Sequence, residues 1–145
     1  MIVNKKRPWL LLELGLIFFL VGLDQWGKWW FQMRDMVVEN QGGVLGIFPE
    51  FFWLGLLMIV WVILLIHWLN QTNRWYRLGL LLILAGGLSN LIDRLFFGYV
   101  RDYIYYPGWG FYGNVADILL GLGVAIGIGH GLLLQYWPWK RLQTP

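Results

Sequence analysis

Two aspartates, Asp102 and Asp117, combine a residue type and a placement that could perform hydrolysis. They lie at the mouths of two apolar segments, within residues 98–104 and 113–118. An ionisable side chain at membrane depth is energetically costly, so such a residue is a functional candidate. Two converging carboxylates share a proton, so one can act as a general base on water while the other polarises a scissile carbonyl. The pair therefore predicts acid–base hydrolysis without any other catalytic residue.

Asn90, Asp93 and Arg94 precede this pair and are spaced i, i+3, i+4. On a helix this spacing puts all three on one face. Asn90 and Arg94 could then present hydrogen-bond donors towards one place, while Asp93 could hold Arg94 or a neighbouring backbone group. The alternative is a structural ion pair that allows a polar helix end to lie within a bundle, and the two interpretations are compatible.

Each aspartate also has a simpler interpretation. Asn114 is a plausible N-cap of the helix that contains Asp117, and a carboxylate in a first helical turn is favoured by the helix dipole. Asp117 could thus be a capping residue only, and Asp102 could be a solvated loop residue. Their joint occurrence in a chain with only eight acidic residues favours the functional interpretation.

Composition excludes most other catalytic chemistries. The 145-residue chain is 59% hydrophobic and 13% charged, which is typical of one membrane domain, here residues 1–145. It has no Cys, one serine (Ser89) and two histidines (His67 and His130), so thiol and Ser–His catalysis are implausible. No metal-ligand or dinucleotide motif is present, so no cofactor is expected. The net charge of +3 comes from scattered basic residues, which fits membrane topology better than nucleic-acid binding.

Four apolar runs predict four transmembrane helices, at about residues 9–23, 51–69, 75–95 and 115–137. The first run is short and contains Glu13, and a signal peptide is the alternative for it. No small-residue cleavage site follows, so we interpret this run as a retained helix. The larger external connections are then predicted at about residues 24–50 and 96–113.

The basic residues predict the orientation, because cytoplasmic loops are enriched in Lys and Arg. In a four-span topology, seven of them fall on one side, at Lys5, Lys6, Arg7, Arg74, Arg77, Lys140 and Arg141. Both termini are therefore expected in the cytoplasm, and the two aspartates at the opposite face of the membrane.

The external segments have some extended character. Residues 36–40 read as a short strand followed by a glycine turn, and residues 99–105 as another extended piece. Residues 105–112 contain a Pro-Gly turn signal and many aromatics, so they could lie on the bilayer surface over the site.

Four sequence blocks resemble the motifs of the signal peptidase II family, the bacterial lipoprotein signal peptidases, and occur in the same order. The family motifs are Asp-x-x-x-Lys, Asn-x-Gly, Gly-Asn-x-x-Asp-Arg followed by Gly-x-Val-x-Asp, and Asn-x-Ala-Asp. The matching blocks are Asp24-Gln25-Trp26-Gly27-Lys28, Asn40-Gln41-Gly42, Asn90 to Arg94 with Gly98 to Asp102, and Asn114-Val115-Ala116-Asp117. Ser89 stands where the family usually has Gly, and Gly43-Val44-Leu45-Gly46 departs from the usual stretch after Asn-x-Gly.

The resemblance implies an all-α membrane protein of four transmembrane helices with a small extracytoplasmic β-cradle and a surface-lying lid segment. It implies an aspartic endopeptidase that cuts prolipoproteins before a diacylglyceryl-modified cysteine, with membrane lipid and this substrate as partners. A monomer without cofactor or metal is expected. The implied roles are catalysis for Asp102 and Asp117, substrate binding for Asn90, Arg94 and Asn114, and support of the site for Asp24, Lys28, Asn40 and Asp93.

The rival hypothesis is a non-enzymatic four-helix membrane protein, such as a lipopeptide-binding paralogue or a small transporter. Its acidic residues would then be structural or ion-binding. Transporters often contain internal repeats and broken helices. This chain contains no repeat, which counts mildly against that rival.

Overall fold

The protein forms a bundle of four long helices with two small sheets at one end. The computed structural model describes residues 8–41 and 50–141, and its element order is α1 (Leu10–Gln32), β1 (Val38–Asn40), α2 (Glu50–Asn70), α3 (Arg74–Phe97), β2 (Val100–Asp102), β3 (Ile104–Tyr106), β4 (Phe111–Gly113) and α4 (Val115–Arg141). All four helices are long and apolar enough to cross a membrane. The predicted fold class is confirmed.

Helix α1 is longer than predicted and ends at Gln32 rather than near residue 23. The external connection that was expected to begin at Asp24 therefore begins after Gln32. Asp24 and Lys28 occupy successive turns of α1 and are both fully buried as an ion pair. Because each charge has a partner inside the bundle, polar residues extend this helix instead of ending it.

Glu13 near the start of α1 also has a charged partner. Its carboxylate forms a salt bridge with the guanidinium of Arg77 in α3. The pair lies at the end of the bundle away from the sheets, and it lowers the cost of placing an acidic residue in a spanning segment.

Helices α3 and α4 approach each other backbone to backbone. A Cβ added to Gly79 would lie 2.8 Å from the carbonyl oxygen of Gly123, and one added to Gly123 would lie 2.5 Å from that of Gly79. A Cβ at Gly86 would clash with the carbonyl oxygen of Ala116. Small residues thus allow the close packing that transmembrane helices use, and they bring the C-terminal end of α3 against the start of α4.

The apolar core is formed where these helices meet. Its fully or nearly fully buried members come from all four helices: Ile17, Val21, Trp68, Leu81, Leu84, Ala85 and Leu119. Helix α2 is attached to α3, where Trp61 Nε1 donates a hydrogen bond to the carbonyl oxygen of Leu84 at 2.9 Å. Most of α2 is otherwise exposed, as expected of a lipid-facing helix.

The strands form two antiparallel pairs at the end of the bundle where α1 and α3 end and α4 begins. β1 pairs with β2, with Val38 opposite Asp102, so residues from the connection between α1 and α2 lie beside the strand that follows α3. β3 pairs with β4, with Tyr106 opposite Phe111, and residues 107–110 form the turn. The extended segments and the Pro-Gly turn agree with the sequence prediction. The departure at residues 43–46 lies outside the described residues.

Candidate active site

Asp102 is the last residue of β2 and is only 2% exposed. Its two carboxylate oxygens accept hydrogen bonds from different elements, Oδ2 from Asn40 Nδ2 at 2.9 Å and Oδ1 from Asn114 Nδ2 at 2.6 Å. Burial raises the pKa of the Asp102 carboxyl above its ordinary value, and the nearby Asp117 carboxylate acts in the same direction. Because the Asp102 side chain is buried and hydrogen-bonded, the solvated-loop interpretation is wrong.

Asp117 lies in the first turn of α4 and is half-buried. Its backbone N–H donates to Asn114 Oδ1 at 3.0 Å, and its Oδ2 accepts from the Asn114 backbone N–H at 3.2 Å. This reciprocal pair is a capping box, with the carboxylate in the role that Glu or Gln usually has. Asn114 is thus the predicted N-cap, and the same residue contacts both Asp102 and Asp117.

Asn90 links Asp117 to a buried cation. Its Nδ2 donates to Asp117 Oδ1 at 2.9 Å, while its Oδ1 accepts from Lys28 Nζ at 2.8 Å. Because the Asn90 amide oxygen accepts from the Lys28 ammonium, the NH₂ group of the same amide points away from Lys28 and towards Asp117. Lys28 therefore orients the Asn90 donor that binds the Asp117 carboxylate.

Lys28 is itself shared between two buried aspartates. Its Nζ lies 2.8 Å from Asp24 Oδ2 and 3.3 Å from Asp93 Oδ2. Asp24 also accepts hydrogen bonds from Ser89 Oγ at 2.7 Å and from the backbone N–H of Ala116 at 3.0 Å. The second bond satisfies a backbone donor in the first turn of α4, so Asp24 fixes the helix start that contains Asp117.

Arg94 is half-buried and lies one turn after Asn90 on α3. Its charge interacts electrostatically with both Asp117 and Asp102. Its Nη1 donates to the carbonyl oxygen of Asn90 at 3.5 Å. Asp93 does not hold Arg94; it accepts from the backbone N–H of Arg101 at 2.9 Å, which is the neighbouring-backbone alternative. All nine residues singled out from the sequence therefore meet in one connected cluster.

Four residues of this cluster were not assigned a role from the sequence: Gln25, Gln32, Ser89 and Arg101. Gln25 Nε2 donates to the Ser89 backbone carbonyl, to Ser89 Oγ and to Asp93 Oδ1, each at 2.9–3.0 Å. Arg101 is 4% exposed and forms a salt bridge with Asp93. The departure from glycine at position 89 thus supplies a hydroxyl that Asp24 and Gln25 both use.

Two tyrosines complete the walls of the site. Tyr103 is stacked on Phe31, and burial together with the Asp24 charge raises its pKa to about 12, so its hydroxyl stays protonated. Tyr106 lies near the carboxylates; burial first, and then the charges of Asp117 and Asp102, raise its pKa. Both hydroxyls therefore remain hydrogen-bond donors at neutral pH.

The acidic residues do not form a metal site in the part of the chain that the structure describes. Between residues 8–41 and 50–141, no group of three or more His, Cys, Asp or Glu side chains could hold a metal ion. The carboxylates are instead occupied by amide, ammonium and guanidinium donors. This arrangement can hold two aspartates close together at the end of the helix bundle that carries the sheets.

A sequence model of signal peptidase II matches residues 16–133, which covers most of the chain. The chain belongs to the signal peptidase II family. Lipoprotein signal peptidases from Bartonella quintana and Streptococcus pyogenes serotype M2 are 38% and 34% identical to it; the alignments cover 77% and 94% of this chain and 80% and 96% of the relatives. The Clostridioides difficile lipoprotein signal peptidase is 29% identical over 78% of this chain and 89% of its own length.

Two solved structures share the fold. Both are of bacterial membrane enzymes crystallised in meso, at 1.9 Å and 2.3 Å resolution, with TM-scores of 0.76 and 0.69. They are 23% and 24% identical to this chain, and the superpositions cover 86% and 88% of it and 94% and 91% of theirs. Family membership makes this chain a bacterial multi-pass membrane peptidase, and the non-enzymatic alternative is not favoured.

Proposed function

We propose that this chain is an aspartic endopeptidase that removes the signal peptide from prolipoproteins, cutting before the diacylglyceryl-modified cysteine. Family membership and the names of its relatives support the substrate class. The observation that supports the catalytic assignment is that Asn114 contacts both aspartates. It donates to Asp102 and forms the capping box with Asp117. One residue thus donates to both carboxylates, to Asp102 from its side chain and to Asp117 from its backbone N–H.

In the proposed reaction, Asp102 is the protonated member because its pKa is raised by burial. Asp117 takes a proton from water as the water oxygen attacks the scissile carbonyl carbon, while Asp102 donates its proton to the carbonyl oxygen. The C–N bond then breaks as the leaving nitrogen receives the proton held by Asp117. When the carbonyl re-forms, the proton that Asp102 donated to the carbonyl oxygen returns to Asp102. The products are a free carboxyl on the signal peptide and a new amino terminus on the lipidated cysteine.

The other cluster members have separate proposed roles. Arg94 is a partly exposed cation beside both aspartates, so it is suited to align the substrate backbone. Asn90 and Asn114 align the dyad and can contact substrate through their remaining hydrogen-bonding positions. Asp24, Lys28, Asn40 and Asp93 support these groups through the contacts described above.

The placement of the cluster favours a lipidated substrate. The aspartates lie where the outer ends of α3 and α4 meet the sheets, so a diacylglyceryl chain can remain in the bilayer while the peptide reaches the site. We propose that the protein acts as a monomer and that the lipid enters laterally between helices. Both termini would then be cytoplasmic and the site extracytoplasmic.

Cleavage by the purified protein tests this function. A prolipoprotein with a diacylglyceryl-modified cysteine should be cut before that cysteine, and the matched unlipidated precursor should be cut at least about a hundredfold more slowly. A metal chelator should leave the rate unchanged. The cleavage position is measured by mass spectrometry of both products.

Equal cleavage of the two precursors would contradict the lipid-dependent assignment. Loss of activity with the chelator, restored by added zinc, would contradict the aspartic mechanism.

A further inference from the structure

Arg101 donates five hydrogen bonds within the cluster, four from its guanidinium group and one from its backbone N–H. Its Nη2 donates to Asp93 Oδ1 at 2.7 Å and to Gln25 Oε1 at 2.8 Å, and its Nη1 donates to Gln32 Oε1 at 2.8 Å. Its Nε and its backbone N–H both donate to Asp93 Oδ2, at 3.3 Å and 2.9 Å. One residue thus joins β2 to α1 and α3.

The first consequence concerns Asp102, the next residue in the chain. Arg101 is fixed to α3 by two groups, because its backbone N–H and its guanidinium both donate to the Asp93 carboxylate. β2 contains only three residues, so fixing Arg101 fixes the backbone from which the Asp102 side chain projects.

The second consequence concerns Asp117 and passes through Lys28. Because Arg101 neutralises Asp93 at close range, Lys28 can remain nearer to Asp24 than to Asp93 and still donate to Asn90. Without Arg101, the buried Asp93 carboxylate would attract Lys28 as its remaining cation. Asn90 would then lose the donor that orients its NH₂ group towards Asp117.

We infer that Arg101 is a positioning residue of the peptidase reaction, which holds Asp102 through β2 and Asp117 through Asp93, Lys28 and Asn90. The inference rests on the proposed function, because it assumes that these two aspartates are the catalytic pair. Arg101 does not touch the reacting atoms in this role. It requires the planar guanidinium, because a lysine cannot reach Asp93, Gln25 and Gln32 together.

Charged and titratable groups from the surrounding elements lie near Asp102 or its neighbour Arg101. They are Lys28 of α1, Glu39 of β1 opposite Arg101, Asp93 and Arg94 of α3, Tyr106 of β3 and Asp117 of α4. Loss of the Arg101 charge would leave more negative charge in this group and would draw Lys28 towards Asp93 and away from Asn90, whose amide binds Asp117. Carboxylate ionisation becomes less favourable under both changes, so Asp102 would lose its proton at higher pH.

The test compares Arg101→Lys and Arg101→Gln with Arg34→Gln, an exposed arginine near the end of α1 that stacks on Trp30. Cleavage of the lipidated precursor is measured against pH, with kcat referred to the folded fraction from size-exclusion chromatography. Arg101→Lys should lower kcat about tenfold, leave KM within about twofold, and keep the pH profile, because it keeps the charge but not the geometry. Arg101→Gln should lower kcat further and move the profile up by about 0.5 pH unit. Arg34→Gln should match the wild type.

The outcome for Arg101→Lys decides the inference even if Arg101→Gln fails to fold. A kcat within twofold of the wild type, per folded molecule, would show that Arg101 only stabilises the fold and would overturn its positioning role. Asp102→Asn is measured in the same series. If Asp102→Asn turned over substrate normally, the proposed dyad would be wrong; if it were inactive while Arg101→Lys was normal, only the Arg101 inference would be wrong.

Discussion

At the scale of single residues, Gly113 controls the space around Asp117. A Cβ added at this position would lie 3.0 Å from Asp117 Oδ2 and 3.1 Å from Tyr106 Cε2. The carboxylate has little freedom to move aside, because Asn90 and the Asn114 backbone hold its two oxygens. A glycine is therefore required between the tyrosine ring and the carboxylate.

We predict that Gly113→Ala lowers kcat for the lipidated precursor about tenfold, since a displacement of a few tenths of an ångström misaligns the base. The matched control is Gly108→Ala in the β3–β4 turn, where an added Cβ would meet nothing within 4 Å. Steady-state kinetics on both variants measure the effect. Equal kcat values for the two would mean that Asp117 is not held as tightly as its contacts indicate.

Residue types in the sequence were sufficient to predict most members of this cluster, but not Arg101, Gln25, Gln32 or Ser89. The i, i+4 spacing of Asp24 and Lys28 and the capping position of Asn114 are local patterns that a sequence displays directly. Gln25 and Arg101 are separated by 76 residues along the chain, so their contact depends on the packing of α1 against β2. No local pattern could reveal it.

At the scale of elements, the contact between α3 and α4 aligns Asn90 with Asp117. Gly79 and Gly123 put the two backbones in contact near mid-bundle. Gly86 makes a similar contact with the Ala116 backbone, nearer to the site. The abundance of glycine predicted close packing in general. It did not predict which glycines are at the contact, because several others in α4 face open space.

We predict that Gly123→Ala lowers the thermal unfolding temperature in detergent, because the new methyl group would overlap Gly79 and Ile83. Overpacking of this kind costs about 1–3 kcal/mol. Gly121→Ala is the control in the same helix, with nothing within 4 Å of its added Cβ. It should be neutral or slightly stabilising, since Ala favours helix over Gly by roughly 1 kcal/mol. Destabilisation of both variants by equal amounts would argue against a specific contact at Gly123.

The sequence prediction was wrong for residues 24–32, which form the last turns of α1 and not a connection. Asp24, Gln25 and Lys28 were read as the start of a connection because they interrupt an apolar run. In the structure, partners on α3 and on the start of α4 satisfy all three side chains. Burial of a polar residue depends on partners from other elements, and those partners are visible only after the helices are assembled.

For the whole molecule, the proposed function requires one orientation in the membrane. The basic residues that predict the cytoplasmic side include Lys5, Lys6 and Arg7, which lie outside the described residues, so the orientation of that end is predicted from the sequence alone. Within the described part, the Glu13–Arg77 pair and the Asp102–Asp117 site lie at opposite ends of the bundle.

We predict that an impermeant thiol reagent on intact cells labels single cysteines at Gln32 and Trp109 but not at Asn73 or Thr144. Gln32 ends α1 and Trp109 is 82% exposed in the β3–β4 turn, both at the site end, whereas Asn73 caps the opposite end of α3. The chain lacks cysteine, so every signal reports the introduced residue. Labelling at position 73 would show that the protein has the opposite orientation in the membrane.

The central claim is that Asp102 and Asp117 together perform the cleavage, and their asparagine variants test it most directly. Asp102→Asn and Asp117→Asn keep the side-chain shape and are compared with Asp35→Asn, an exposed aspartate on the same side whose positive φ of 53° asparagine tolerates. The measurement is the rate of cleavage of the diacylglyceryl-modified precursor by each purified, folded variant. We predict a loss of at least about a thousandfold for both dyad variants and wild-type activity for Asp35→Asn. Near-normal turnover by either dyad variant would contradict the central claim.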